Sequence, residues 1–304
     1  MSGQPAVSVV MPTFNRADLL PEALDSVLAQ QWPQLEMVVV DDGSGDSTPA
    51  LLDDYRRRFP AILRVIRQEN QGVSAARNAG IEAASFDLLA FLDSDNRWLP
   101  GKLIRQVAML EADPSLDVSF TAYRNILAGT QQPMVLDGWL AEPGPAIERL
   151  LVGCCINTST VLARRSALRA VGMFDAELRC CEDHDLWLRL AAAGSRIAYL
   201  PEVLLDYRLH GGSISADLAR VSAHTERVFE RLFDRQVLPP RFQARKRYYL
   251  ARCYLNSACR YLEAGQGRLS RQALVRALRA RPLSARPGWL RLWVEAGRAS
   301  DAAP

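Results

Sequence analysis

Apolar residues along the first hundred positions follow two alternating rhythms. Residues 7–11 (Val-Ser-Val-Val-Met) are a short apolar run rich in β-branched side chains, while residues 17–30 repeat Leu20, Ala23, Leu24, Val27 and Leu28 at helical spacing. The same exchange predicts strands at 36–40, 62–66 and 87–92, and helices at 48–59, 73–84 and 99–112. Strands that alternate with helices predict a parallel sheet covered on both faces, and the near-continuous apolar character of these strands agrees with it. Ligands in such sheets sit beyond the carboxyl ends of the strands. That rule directs attention to residues 12–16, 41–48 and 93–96, each directly after a strand.

From 117 to 215 the pattern is mixed, with strands expected at 118–123, 160–163, 197–200 and 203–208 and helices at 146–152 and 183–193. From Asp217 onward it is helical. Breaks at Pro239-Pro240, Gly265 and Pro282 divide it into three or four helices, two of which (249–263 and 269–281) are spaced like one tetratricopeptide hairpin. The expected division is therefore an α/β domain at 1–215 and an Arg-rich helical region at 216–304.

Composition narrows the class. The chain has 304 residues, 49% apolar and 23% charged, an ordinary globular mixture that excludes a disordered chain, a collagen and a coiled coil. No run approaches the length of a membrane-spanning helix, and the first residues lack a basic segment followed by an apolar one. A cytoplasmic location is the expectation. Six cysteines, at 154, 155, 180, 181, 253 and 259, lack C-x-x-C spacing, so reduced thiols are expected rather than zinc ligands. Asn157-Thr158-Ser159 has the form of a glycosylation site that a cytoplasmic chain would never present. The net charge of +3 hides an asymmetry. From Asp217 on, 18 Lys and Arg stand against 7 Asp and Glu, a balance of +11, and the preceding residues carry −8.

Three acidic clusters carry the candidate chemistry. Asp41 and Asp42 end the second strand before Gly43 and Gly45; they could accept hydrogen bonds from a base or ribose, or simply shape the turn. Asp93-Ser94-Asp95 follows an apolar strand, and carboxylates at i and i+2 can reach one Mg²⁺ or Mn²⁺ that shares oxygens with a substrate phosphate. Glu182-Asp183-His184-Asp185 opens a helix, where acids favour the dipole. Three acids exceed that need. Glu182 and Asp183 stand about 100° apart around the axis, so one can fix the loop while the other faces the cleft as a general base. No P-loop, G-x-G-x-x-G, G-x-S-x-G or H-E-x-x-H pattern competes.

These residues resemble the family 2 glycosyltransferases, inverting enzymes of the GT-A fold that use nucleotide sugars. The resemblance covers about residues 5–215. It rests on six motifs in the family's order: residues 9–16 (VVMPTFNR), 39–44 (VVDDGS), 70–72 with 76–80 (NQG, ARNAG), 91–95 (FLDSD), 172–175 (GMFD) and 182–187 (EDHDLW). It implies a doubly wound α/β sheet, Rossmann-like and mostly parallel, with a C-terminal helical extension. It places Pro12, Thr13 and Asn15 in the nucleotide pocket, Asp42 near the base, with uracil expected, and Asp41 on base or ribose. Arg77 would meet the diphosphate or the sugar, Asp93 and Asp95 would bridge metal and diphosphate with Ser94 on the donor side, and Asp183 would deprotonate the acceptor hydroxyl. A loop at 207–213 would close over the donor, bringing His210 to the metal, and Trp187 would stack on an acceptor sugar or belong to the core.

The implied activity moves a sugar from a nucleotide sugar to a hydroxyl of a saccharide or lipid-linked acceptor, with Mn²⁺ or Mg²⁺, in polysaccharide or glycoconjugate synthesis. A sugar nucleotidyltransferase and a non-catalytic nucleotide-sugar-binding module are the alternatives, and nucleic acid is not expected as a partner. Asn96 departs from the family, many of whose members carry another acid there. The basic tail, with Arg286, Trp289, Arg291 and Trp293, suits either a solvated cap or a helix lying on anionic lipid.

Overall fold

The computed structural model describes residues 4–127, 130–135, 146–209 and 217–281. Its strands are β1 (Val7–Thr13), β2 (Leu35–Asp41), β3 (Leu63–Arg67), β4 (Leu88–Phe91), β5 (Arg97–Trp98), β6 (Val118–Leu127), β7 (Thr130–Met134), β8 (Leu162–Arg164) and β9 (Ile197–Arg208). The helices are α1 (Leu20–Leu28), α2 (Thr48–Arg58), α3 (Val73–Ala83), α4 (Lys102–Ala112), α5 (Ala146–Leu150), α6 (Arg165–Ala170), α7 (Glu182–Ala192), α8 (Leu218–Asp234), α9 (Pro240–Gln243), α10 (Lys246–Glu263) and α11 (Gly267–Ala280). By their contacts the described residues fall into two compact units, one within Met1–Ala146 and Cys155–Leu209, the other within Ile147–Cys154 and His210–Pro304. The domain boundary expected at 215 lies outside the described residues.

The first unit is built on one sheet of order β3-β2-β1-β4-β8-β6-β9-β5, with β7 beside β6. Neighbours from β3 to β4 are parallel, as expected for βα repeats. Beyond β4 the sheet is mixed: β8 is antiparallel to β4 and β6, and β9 is parallel to β6. The period-2 alternation sorts the strands' two faces. Val9, Met11, Met37 and Val39 pack with Leu20, Leu24 and Val27 of α1 and with Leu103 and Val107 of α4. Val38 and Val40 point the other way, onto Ala76 of α3. Covering both faces is why β1 is buried at every position and why its sequence has no polar alternation.

Two strands expected separately, at 197–200 and 203–208, are one strand with irregular pairing to β6 between Thr121 and Arg124. The strand expected at 160–163 divides into a 3₁₀ turn, Thr158–Thr160, and β8. The two-residue strand β5 was too short to leave a periodic signal.

Gly80 lets α3 approach the sheet. A Cβ there would lie 2.5 Å from Val10 Cγ1. Gly80→Ala gains about 1 kcal/mol of helix propensity but forces a methyl group against a buried strand, an overpacking penalty of about 1–3 kcal/mol. We expect a net loss of thermal stability; a melting temperature at or above wild type would contradict this packing.

The second unit is helical. α10 and α11 meet at Ala258, Tyr261, Ala273 and Leu274, after a turn in which Gly265 takes φ +71°. Arg276 of α11 reaches buried Glu226 of α8 at 2.5 Å, while burial raises that carboxyl's pKa. Among the described residues no helix is long and apolar enough to cross a membrane. Arg286, Trp289, Arg291 and Trp293 lie outside the described residues.

Candidate active site

The parallel strands deliver three loops to one edge of the first unit. Pro12 and Thr13 close β1 and are buried, with the Thr13 carbonyl accepting the Asp42 amide at 2.9 Å. Asn15 follows in the left-handed region (φ 50°) and stitches two loops together. Its amide donates to Ser44 Oγ, and its own Oδ1 accepts the Gly45 amide, both at 2.9 Å. Phe14, beside it, leaves 44% of its surface in solvent.

Asp41, the last residue of β2, and Asp42, directly after it, differ in role. Asp41 Oδ1 accepts the Ser44 amide at 3.0 Å and shapes the turn. Asp42 accepts Gln68 Nε2 (2.8 Å), the Gln71 amide (2.9 Å) and the Gly72 amide (2.8 Å). Three of about four acceptor positions on this carboxylate are thus occupied. It holds the loop that leads into α3.

One face of α3 laces itself to residues 174–182. The Gln71 carbonyl accepts Arg179 Nη1 (2.7 Å), Ser74 donates to the Leu178 carbonyl (3.2 Å), and the Asn78 side chain exchanges two bonds with the Phe174 backbone (2.8 and 3.0 Å). Ser74 and Asn78, four residues apart, share one face of α3, while Gln71 precedes the helix and contributes its backbone carbonyl. Gly72 takes φ +92° beneath the Arg179 guanidinium, where a Cβ would lie 2.2 Å from Nη1.

Arg77 is the centre of the site. Only 4% exposed, it places Nη1 on Glu182 Oε1 and Nη2 on Asp93 Oδ1, both at 2.7 Å, with its guanidinium 5.1 Å from the Phe174 ring centre. The two carboxylates outweigh the desolvation of the guanidinium and raise its pKa above the ordinary arginine range. Glu182 therefore fixes the loop, Asp185 is held by Arg189 of the same helix at 2.7 Å, and Asp183 is the remaining acid. Cys181, at φ 59°, caps α7, and the His184 amide donates to Asp183 Oδ1 at 2.7 Å. Burial first, then the neighbouring Glu182 charge, push the Asp183 carboxyl up to about 7 against the pull of Arg77. That is a range suited to a general base near neutral pH. Trp187 is fully buried and meets Phe174 edge-on (6.4 Å between centroids), so it belongs to the core and does not stack on an acceptor.

On the D-x-D loop, Asp93 Oδ2 accepts Ser159 Oγ at 3.2 Å, Asp95 Oδ2 lies 3.8 Å from Arg16 Nη2, and Ser94 is buried between them. The Asp93 and Asp95 side chains keep 28% and 20% of their surface open. A hard divalent cation prefers such carboxylate oxygens. Among the described residues no group of three metal-binding side chains occurs. His210 and Ser213 lie outside the described residues.

Inspection of the sequence missed Phe14, Gln68 and Ser159. Phe14 carried a readable signal, since a large aromatic directly after a buried strand is placed at the ligand edge. Gln68 and Ser159 carried none, because their roles come from partners 26 and 66 residues away.

The doubly wound sheet, with carboxylates gathered at the carboxyl ends of its strands, has the GT-A fold of the solved structures it resembles. The chain belongs to glycosyl transferase family 2, whose family model matches residues 8–171. It is 32% identical over 234 residues to the putative teichuronic acid biosynthesis glycosyltransferase TuaG of Bacillus subtilis, covering 75% of this chain and 89% of that one. It is 27% identical over 213 residues to the Escherichia coli UDP-Glc:alpha-D-GlcNAc-diphosphoundecaprenol beta-1,3-glucosyltransferase WfaP, covering 69% and 80%. Among solved structures it resembles Staphylococcus aureus TarS 1-349 in complex with UDP-GlcNAc (TM-score 0.66, 21% identity, 98% of this chain and 82% of that one). It also resembles the Pyrobaculum calidifontis mannosyltransferase PcManGT in complex with GDP-Man and Mn²⁺ (TM-score 0.67, 20% identity, 98% and 86%). The protein is a glycosyltransferase, and family membership sets aside the nucleotidyltransferase and binding-module readings.

Proposed function

We propose that the protein transfers a sugar from a UDP-sugar to a hydroxyl of a saccharide or lipid-linked acceptor, with inversion at the anomeric carbon. The observation that carries this reading is the Arg77 bridge, which joins the D-x-D loop to Glu182 and thereby sets Asp183 beside the acids of the donor edge. Asp183, with its carboxyl raised to about 7, takes the proton of the acceptor hydroxyl as that oxygen attacks. A single in-line displacement on one face of the sugar expels the nucleoside diphosphate from the other, which inverts the configuration. Asp93 and Asp95 would hold a divalent cation, Mn²⁺ or Mg²⁺, which when bound neutralises charge developing on the diphosphate. Arg77, paired with two carboxylates through Nη1 and Nη2, orients Asp93 and Glu182.

Pro12, Thr13 and Asn15 form the floor and wall of the nucleotide end, Asp41 and Asp42 hold its loops, and Phe14 offers a ring on which the base stacks. Support for uridine and for a lipid-linked acceptor comes from the names of WfaP and of the UDP-GlcNAc complex of TarS, and PcManGT supplies the precedent for Mn²⁺. The name of TuaG, a putative teichuronic acid biosynthesis glycosyltransferase, supports a role in glycoconjugate synthesis. We assign residues 1–215 to transfer and 216–304 to a helical region. The +11 balance after Asp217 suits a cytoplasmic enzyme that meets the anionic membrane face carrying such acceptors.

Calorimetry with UDP, GDP and dTDP, each with and without Mn²⁺, tests the donor reading. We expect UDP to bind best and to require the cation, and Phe14→Ala to weaken it by about 1–3 kcal/mol, the usual worth of a stacked base. Tight cation-independent binding, or no preference for UDP, would overturn the assignment.

A further inference from the structure

Residues 157–160, beneath the D-x-D loop, have no part in the proposed chemistry. Asn157 Oδ1 caps the 3₁₀ turn Thr158–Thr160 by accepting the Ser159 amide at 2.9 Å, so this sequon-like triplet is a structural cap. Trp98 Nε1 donates to the Ser159 carbonyl (2.9 Å), and Gln106 Nε2 donates to the Thr160 carbonyl (3.0 Å). The turn is thus pinned on both sides, and Ser159 is fully buried.

Its hydroxyl is completely used. Ser159 Oγ receives two N–H donors, the Asp93 amide at 3.0 Å and Asn96 Nδ2 at 3.1 Å. A serine hydroxyl has two acceptor lone pairs and one proton. With both lone pairs taken, its proton goes to Asp93 Oδ2, 3.2 Å away. Arg77 grips the other oxygen of that carboxylate. The Asp93 carboxylate is therefore set from both sides, by a cation on Oδ1 and a hydroxyl on Oδ2.

We infer that Ser159 is a positioning residue for the D-x-D site: it fixes the plane of the Asp93 carboxylate in which cation and diphosphate are received. This rests on the proposed role of Asp93. Asn96 belongs to the same device. Its Nδ2 donates to Ser159, and its Oδ1 accepts the Arg208 amide at 3.1 Å, tying the loop to the end of β9. Only an amide supplies that donor and that acceptor together, whereas a carboxylate accepts at both ends. The family departure at this position, fully buried, is thus matched to Ser159.

The test compares Ser159→Ala, and Ser159→Cys as a volume-conserving second variant, with Trp98→Phe. The last loosens the same turn without touching the Asp93 contact. UDP binding is followed by calorimetry across a Mn²⁺ titration, and the melting temperature is recorded without metal. Loss of one hydrogen bond to a charged group predicts that both Ser159 variants raise the half-saturating Mn²⁺ concentration on the order of tenfold. Trp98→Phe should lower the melting temperature yet leave that concentration within about twofold of wild type. Ser159 variants that titrate like wild type, or like Trp98→Phe, overturn the positioning role. A wild-type protein that binds UDP without regard to Mn²⁺ overturns the D-x-D reading itself, and this inference with it.

Discussion

Asp183→Asn should abolish sugar transfer while leaving UDP affinity near wild type. The exchange keeps the shape of the side chain and the bond from the His184 amide but removes the basic oxygen. Loss of a general base costs roughly 10²–10⁴ in rate, measured as turnover at saturating donor and acceptor. A variant within tenfold of wild type would refute the assignment.

The pH profile gives the same residue a second signature. With its carboxyl raised to about 7, Asp183 is protonated below neutrality, and the rate should fall about tenfold per pH unit on the acid side of that value. A profile flat from about pH 5 to 8 would show that another group is the base. Stability runs the opposite way. A carboxyl whose folded pKa lies above its ordinary 3.8 favours the folded state in its protonated form; that contribution is whole below 3.8 and is lost as pH rises through about 7. At pH 8 the wild type carries the burden of a buried charge that asparagine lacks. We therefore expect Asp183→Asn to melt about 2–4 °C higher at pH 8, for a gain of about 1 kcal/mol, with the difference vanishing towards pH 4. More stable and inactive is the mark of a residue placed for chemistry at the expense of the fold.

Arg77→Met should be the most damaging single change to the fold of the site. It leaves Asp93, Glu182 and Asp183 facing one another without the buried cation between them. Breaking a buried ion pair from one side costs about 3–5 kcal/mol, because the remaining charge stays buried. Arg77→Lys should rescue little, since a single ammonium cannot span two carboxylates that a planar fork reaches at 2.7 Å each. Arg77→Met with Glu182→Gln should recover part of the lost stability by removing one orphaned charge. In whatever folds, the acid limb of the rate profile should move to higher pH, because the Arg77 charge, with the His184 amide, pulls the Asp183 pKa down. Urea melts of the single and double variants check the first effect. Equal stability of Arg77→Met and wild type would mean that the bridge contributes nothing.

Much of this was readable along the chain. The β-branched runs and helical repeats located β1 to β4 and α1 to α4 within a few residues, because burial on both faces leaves a local pattern. Two of the three acidic clusters stand where chain reversals follow apolar strands and the third opens a helix, so local pattern was enough to single them out. What local pattern could not supply was partnership. Nothing near Arg77 announces Glu182, 105 residues on, as its partner. Asn157-Thr158-Ser159 has only the form of a modification signal, and what it does, as a cap beneath Asp93, had no local sign. β5 and the continuity of β9 were likewise invisible, since pairing across about 100 residues defines them.

The chain's own periodicity and the position of its acids thus determined that this is a wound α/β protein with carboxylates at the mouth of its sheet, because burial and turn formation act between neighbours in sequence. Which acid carries a charge, which merely holds a loop and which is left poised to take a proton was decided only by folding. Those states depend on how far water is excluded and on a guanidinium brought from another helix, and neither quantity exists until distant segments meet.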